Sequence, residues 1–136
     1  MEPGDMNDVF DIYRSVVGEE RAIIDTDVIA ANLGGLLDLS FVAEKGSSVV
    51  GFIIANLTYI GEPAIKAGLI QGIGVSPLHQ GQGIAARLMS TLATSARTRE
   101  IRTLRVMLSE RDSQLEGFFD RQNFHRAKLA VYDTEL

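Results

Sequence analysis

Val75-Ser76-Pro77-Leu78-His79-Gln80-Gly81-Gln82-Gly83-Ile84-Ala85-Ala86-Arg87-Leu88-Met89 decides how the rest of the chain is read. An apolar strand stops at a proline turn, passes two glycines and enters a helix. Pro77 ends the strand Leu69–Val75 because it has no N–H for a ladder. Helical spacing then begins, with Ile84, Leu88, Leu92 on one row and Ala85, Met89, Ala93 on the next. The change of period falls at Gly81 and Gly83. Glycine lets backbone approach a ligand with no Cβ in the way, and the first N–H groups of the following helix have no intrahelical partner. Aimed at a phosphate with the helix dipole behind them, they make an anion site.

Two familiar phosphate motifs are tested by this context. Gly81-Gln82-Gly83-Ile84-Ala85-Ala86 matches G-x-G-x-x-A, the dinucleotide fingerprint. That fingerprint belongs on a tight turn after a first strand, with an acid about 20 residues on. Here Ser76 to Gln80 intervene, two strands come earlier, and Glu110 is the nearest acid past the next strand. A P-loop is excluded because no Gly-Lys-Ser/Thr follows.

The whole chain sets wider bounds. Its 136 residues, read as one domain over 1–136, suffice for a single core. Apolar residues are 46% and charged residues 23%, the balance of an ordinary soluble protein. A net charge of −5 argues against a general nucleic-acid or anionic-membrane surface and tolerates a basic amine substrate. Without cysteine there is no disulfide, thiolate metal site or acyl-cysteine route. Met1-Glu2-Pro3-Gly4-Asp5 has neither a basic n-region nor an apolar h-region, and no apolar run approaches a membrane span, so the expected location is cytoplasmic.

Asp5 or Asn7 can cap a first helix carrying Met6, Val9, Phe10, Tyr13, Val16 and Val17 at helical spacing, with Gly18 near its end. A second helix is expected from Asp25 or Thr26 through Leu37, interrupted at Gly34-Gly35. Phe41–Ala43 and Val49–Tyr59 form a hairpin, and the unbroken run Val49-Val50-Gly51-Phe52-Ile53-Ile54-Ala55 calls for burial on both faces. After Leu69–Val75 come the glycine loop, a helix from Gly83 to Arg99, and a strand over Thr103–Ser109. Asp112 or Ser113 caps a last helix, Asn123 ends it in a left-handed conformation, and Ala127–Tyr132 is a closing strand.

Gln80-Gly81-Gln82-Gly83-Ile84-Ala85 matches the Q/R-x-x-G-x-G/A signature and so resembles the GCN5-related N-acetyltransferases. The element order resembles that family from Asp5 to Tyr132, with a shorter start and a single strand where a terminal hairpin is usual. The resemblance implies a mixed α/β (α+β) fold, with a central mixed, mostly antiparallel sheet and helices on both faces. It also implies acetyl-CoA as co-substrate, an amine acceptor of small-molecule or protein origin, and the loop Gln80, Gly81, Gln82, Gly83, Ile84, Ala85 gripping the pyrophosphate. Backbone N–H groups of Ile73, Gly74 and Val75 would hold the pantetheine arm and the acetyl carbonyl. Arg87, one turn into the helix, would reach a CoA phosphate. Short sheet edges make a homodimer the expected assembly.

A second signature, N-x-x-A-x-x-x-Y-x-x-x-G-F, runs here as Asp112, Leu115, Phe119, Asn123 and Phe124. By resemblance Asp112 and Phe119 fall on cofactor-binding positions, but Phe119 has no proton for a leaving thiolate. Either the thiolate leaves unassisted, or Tyr132 or a water supplies the proton. Where the family often has a glutamate base stands Gln71, which takes no proton; Glu110, just past the next strand, is the alternative. His79 and His125 have no partner at metal-ligand spacing, so no metal site is expected. A domain that binds acyl-CoA without turnover is the alternative to transfer.

Overall fold

The computed structural model describes residues 1–17, 39–61 and 63–136. The expected second helix, Asp25 to Leu37, lies outside them. A 3-10 turn, Pro3–Asp5, leads into α1, Met6–Val17. Strands β1, Phe41–Lys45, and β2, Ser48–Ile60, form the expected hairpin, and β3 runs Ile65–Val75. A second 3-10 turn, Pro77–His79, precedes α2, Ile84–Thr98; β4, Thr103–Val106, and α3, Ser113–Arg121, follow.

The sheet order is β1-β2-β3-β4, antiparallel except for the parallel pair β3–β4. Strand periodicity divides the residues of β2 between two cores. Phe52 and Ile54 pack with Val9 and Ile12 of α1, while Ile53 and Ala55 pack with Leu88, Met89 and Leu92 of α2 and with Phe119 of α3. The unbroken apolar run in β2 therefore has both faces covered, as its composition requires.

Both later helices end on a non-glycine residue with positive φ. Asn123 has φ 66°, its N–H bonds to the Asp120 carbonyl, and the Phe124 N–H bonds to that of Phe119. The rings of Phe119 and Phe124 meet edge to face at 5.0 Å, adding the apolar contact that accompanies this stop. At the end of α2, Glu100 has φ 61° and Ile101 bonds back to Ala96 in the same pattern. Lys66 Nζ on β3 donates to the Arg99 carbonyl at 2.7 Å, placing a cation at the negative end of α2.

Two strand expectations need correction. The strand expected to reach Ser109 stops at Val106, because only Thr103 to Val106 find partners on β3. The closing strand Ala127–Tyr132 is absent: residues 125–136 have no regular structure and are exposed throughout. Among the described residues their alternating pattern pairs with no strand. Among the described residues no helix is long and apolar enough to cross a membrane.

Candidate active site

The site starts from a change in pairing along β3. Its register with β2 runs from Ile60↔Ile65 to Ala55↔Ile70, then resumes at Ile54↔Gly72, leaving Gln71 as an extra, exposed residue in a bulge. The parallel ladder to β4 covers only Ala67 to Ile70 and so stops one residue before that bulge. Beyond it, residues 71–75 keep β2 on one side and have no strand on the other among the described residues.

What faces this gap follows from the alternation of an antiparallel ladder. The Ser76 N–H donates to the Val50 carbonyl at 2.8 Å, which fixes Ser76–Val50 as a hydrogen-bonded pair. Two residues back, Gly74–Phe52 is again such a pair, so Gly74 spends its polar groups on β2. Ile73 and Val75 alternate with it and turn their N–H and C=O groups into the gap. Of the three backbone positions expected to hold the pantetheine arm, two point the right way. The Val75 carbonyl is taken by the Gln80 side chain, whose Nε2 donates to it at 3.1 Å. Gln80 thus ties the loop to the end of β3, a positioning job invisible in its motif role.

Gly74 shapes the wall behind the gap. A Cβ there would lie 2.7 Å from Phe52 Cε1 and 3.0 Å from Cζ, and Phe52 is 1% exposed. That ring is held by α1 and cannot move aside. Gly74→Ala should therefore lower unfolding stability by about 1–3 kcal/mol, read by urea denaturation, through overpacking. Unchanged stability would mean the ring has room to shift.

The loop that follows has the shape of an anion cradle. Gly81 and Gly83 have φ 79° and 78°, conformations that other residues seldom adopt. A Cβ on either would meet nothing within 4 Å, so the space above them is open. Gly83 caps α2, and the first intrahelical bond runs from the Arg87 N–H to the Gly83 carbonyl. The N–H groups of Ile84, Ala85 and Ala86 precede that bond and have no intrahelical carbonyl to take them. Gln82, Ile84 and Arg87 also line a groove of about 460 Å³ beside the β1–β2 hairpin. No Asp or Glu occurs between Glu62 and Glu100, so an acidic chain keeps this loop free of nearby sequence acids. That acid-free stretch was readable in the sequence as a sign of an anion site, although the glycine signature does not contain it.

The remaining candidates are more scattered. Asp112 caps α3, one carboxylate oxygen accepting from the Leu115 N–H at 3.1 Å. Phe119, at the tyrosine position, is 3% exposed and packs edge-on against Phe118 and Phe124 in the core. Glu110 stands exposed in the loop after β4, and Tyr132 is 92% exposed on the tail. His79 Nδ1 is buried without a hydrogen-bond partner, as is Asn56 Oδ1, among the described residues; the sequence gives Asn56 no functional signal. Among the described residues no three His, Asp or Glu side chains gather as a metal site would require.

The sheet is mixed, its strands part at a bulge in β3, and a glycine loop with positive φ leads from β3 into α2. The chain belongs to the acetyltransferase (GNAT) family, whose model matches residues 6–124. It is an acetyl-CoA-dependent N-acetyltransferase of that family. No curated protein matches the sequence. Among solved structures it is similar to the aminoglycoside acetyltransferase AAC(6')-Iy in complex with a bisubstrate analogue, CoA-S-monomethyl-acetylneamine. They share 15% identity over 100% of this chain and 95% of that one, with a TM-score of 0.76. A ribosomal-protein-alanine N-acetyltransferase from Brucella melitensis biovar Abortus 2308 gives 19%, 100%, 95% and 0.75. A transcriptional regulator from Bacillus halodurans C-125 gives 16%, 100%, 96% and 0.78. These likenesses show the fold.

Proposed function

We propose that this chain moves the acetyl group of acetyl-CoA to a primary amine by direct attack within a ternary complex. The observation that carries this reading is the gap between β3 and β4, with the Ile73 and Val75 backbone turned into it and the glycine loop at its end. The loop N–H groups from Gly81 to Ala86 hold the pyrophosphate, and Arg87 adds a cation one turn along. The Ile73 and Val75 N–H groups orient the pantetheine amide and polarise the acetyl carbonyl where negative charge develops.

Proton handling is sparse. Glu110 takes the amine proton through a water, as the new C–N bond forms and the C–S bond breaks. The thiolate takes its proton from water, since Phe119 has none to give and Tyr132 stands 92% exposed on the tail. Most of the rate comes from holding the two reactants in line and from stabilising the oxyanion, effects that commonly outweigh proton transfer. AAC(6')-Iy and the ribosomal-protein-alanine enzyme support an amine acceptor as a class and leave small-molecule and protein amines as its two forms. The cytoplasmic setting expected from the sequence belongs to this reading.

Melting curves with acetyl-CoA, with NAD and with buffer alone test it, followed by free-thiol release over a panel of primary amines. Acetyl-CoA at a hundred times its dissociation constant should stabilise the fold by about 2.7 kcal/mol. NAD should leave it unchanged, and at least one amine should release thiol. Stabilisation with no thiol from any amine would leave a binding domain, and no stabilisation would remove both readings.

A further inference from the structure

The face of the sheet opposite α2 holds a row of side chains whose polar ends are unsatisfied. Leu104 and Val106 pack into the core with α2 and α3, so Arg105 between them turns to the other face. Phe52 and Ile54 meet α1 on that face, and alternation carries Asn56 to the same side. Asn56 pairs with Leu69 and Leu69 with Arg105, which sets the three in one row across β2, β3 and β4, each half-buried. The neighbouring row, Ile54–Gly72, lies under α1, where a Cβ on Gly72 would meet Tyr13 at 3.6 Å.

Neither polar end of the row is answered by the described residues. Strands β2, β3 and β4 carry no Asp or Glu. Among the described residues ion pairs join Arg14 to Asp11 and Arg126 to Glu116, and none forms at Arg105. Asn56 Oδ1, at the other end, is buried and lacks a donor that water cannot reach to supply. Such groups are costly to leave unpaired, and a bound molecule can pair both.

We propose that the acceptor is a primary amine that also carries an anionic group, a carboxylate or a phosphate, held by Arg105 while its amine N–H donates to Asn56 Oδ1. The position of the acetyl group is taken from the proposed transfer. With the pyrophosphate at the glycine loop and the arm passing Val75 and then Ile73, the thioester points to the closed end of the gap at Ile70–Val106. Leu69–Arg105 is the next pair of that ladder. The Cα atoms of Asn56 and Arg105 stand two strand spacings apart, about 10 Å, which suits a short molecule with its two charges a few bonds apart. A guanidinium fork matches the paired oxygens of either anion. The net charge of −5 draws any amine, so selection among amines falls to this local cation, which repels diamines.

Thiol release and binding are measured on the full chain, with β-alanine and phosphoethanolamine as anionic probes and ethylamine and putrescine as controls. For one anionic probe, kcat/KM should exceed both controls by about 10-fold or more. Arg105→Gln keeps the apolar stem and should raise KM for that probe about 10-fold or more, with kcat and the acetyl-CoA dissociation constant within about twofold of native. Arg105→Lys should recover part of the loss. Asn56→Leu should raise KM about threefold or more for every amine without lowering the melting temperature, since the Oδ1 it removes has no partner. With CoA bound, so that nothing reacts, either anionic probe should move the amide shifts of residues 103–106 in the native chain and not in Arg105→Gln. Those shifts without thiol from any amine would uphold the anion site and remove transfer. Thiol released as fast from ethylamine or putrescine, or a KM that Arg105→Gln leaves within twofold, would overturn the proposal and leave transfer standing. Unmoved amides at residues 103–106 with both anionic probes would overturn it as well.

Discussion

Replacing Gly81 and Gly83 together by valine should raise the dissociation constant for acetyl-CoA about 100-fold or more, while the protein stays folded. Both glycines sit at positive φ, where a side chain with a Cβ costs roughly 1–2 kcal/mol at each position. Valine, stiff at χ1, is poorly suited to that conformation, so the loop relaxes toward negative φ and its N–H groups turn away. Each lost bond to a charged phosphate is worth about 1.5–3 kcal/mol, so losing two already reaches a 100-fold loss. The fold should survive because a Cβ on either glycine meets nothing within 4 Å. Isothermal titration gives the affinity and a melting curve checks the fold. Weakening of less than about fivefold in a folded variant would mean that this loop does not hold the pyrophosphate.

Phe119→Ala should lower stability by about 3–5 kcal/mol. The ring is 3% exposed and lies in the same core as Leu92, Met89 and Ile53, with Phe118 and Phe124 edge-on to it. Its removal leaves a cavity that those rings cannot close without breaking the stop at Asn123. For a chain of this size the melting temperature should fall by roughly 10–20 °C. Phe119→Tyr separates the two roles the position could have. A hydroxyl buried without a partner costs about 1–3 kcal/mol, and thiol release per folded molecule should change less than twofold. A large gain in rate would instead mean that the ring edge reaches the leaving thiol. A fall of less than about 3 °C for the alanine variant would place the ring outside the core.

Much of the site was legible because it is local. Pro77, Gly81, Gly83 and the onset of helical spacing at Ile84 lie within eight residues, and each acts through its own backbone. Asp112 was legible as a helix cap for the same reason. The width of the gap was not, because Met107-Leu108-Ser109 alternates as well as Thr103–Val106 does. The residue that ends the pairing is Gln71, on another strand, and its bulge is a matter of register between β2 and β3. Phe119 shows the limit of a motif: its spacing gives a place along α3, whereas its burial depends on which core α3 covers. The tail fails differently. Alternation from Leu129 to Val131 predicts a strand, yet residues 125–136 are irregular and exposed, because a strand also needs a paired edge that local alternation does not supply.

The central claim is that β3 and the glycine loop form one continuous backbone cradle for acetyl-CoA. Amide chemical shifts, followed as acetyl-CoA is titrated into the labelled protein, test it most directly. The largest changes should fall at Ile73, Val75 and Gly81 through Ala86, with Gly74 moving less because its N–H belongs to the ladder with β2. Changes centred instead on Ala93, Ile101 and Leu104, with the loop from Gly81 to Ala86 unmoved, would contradict it.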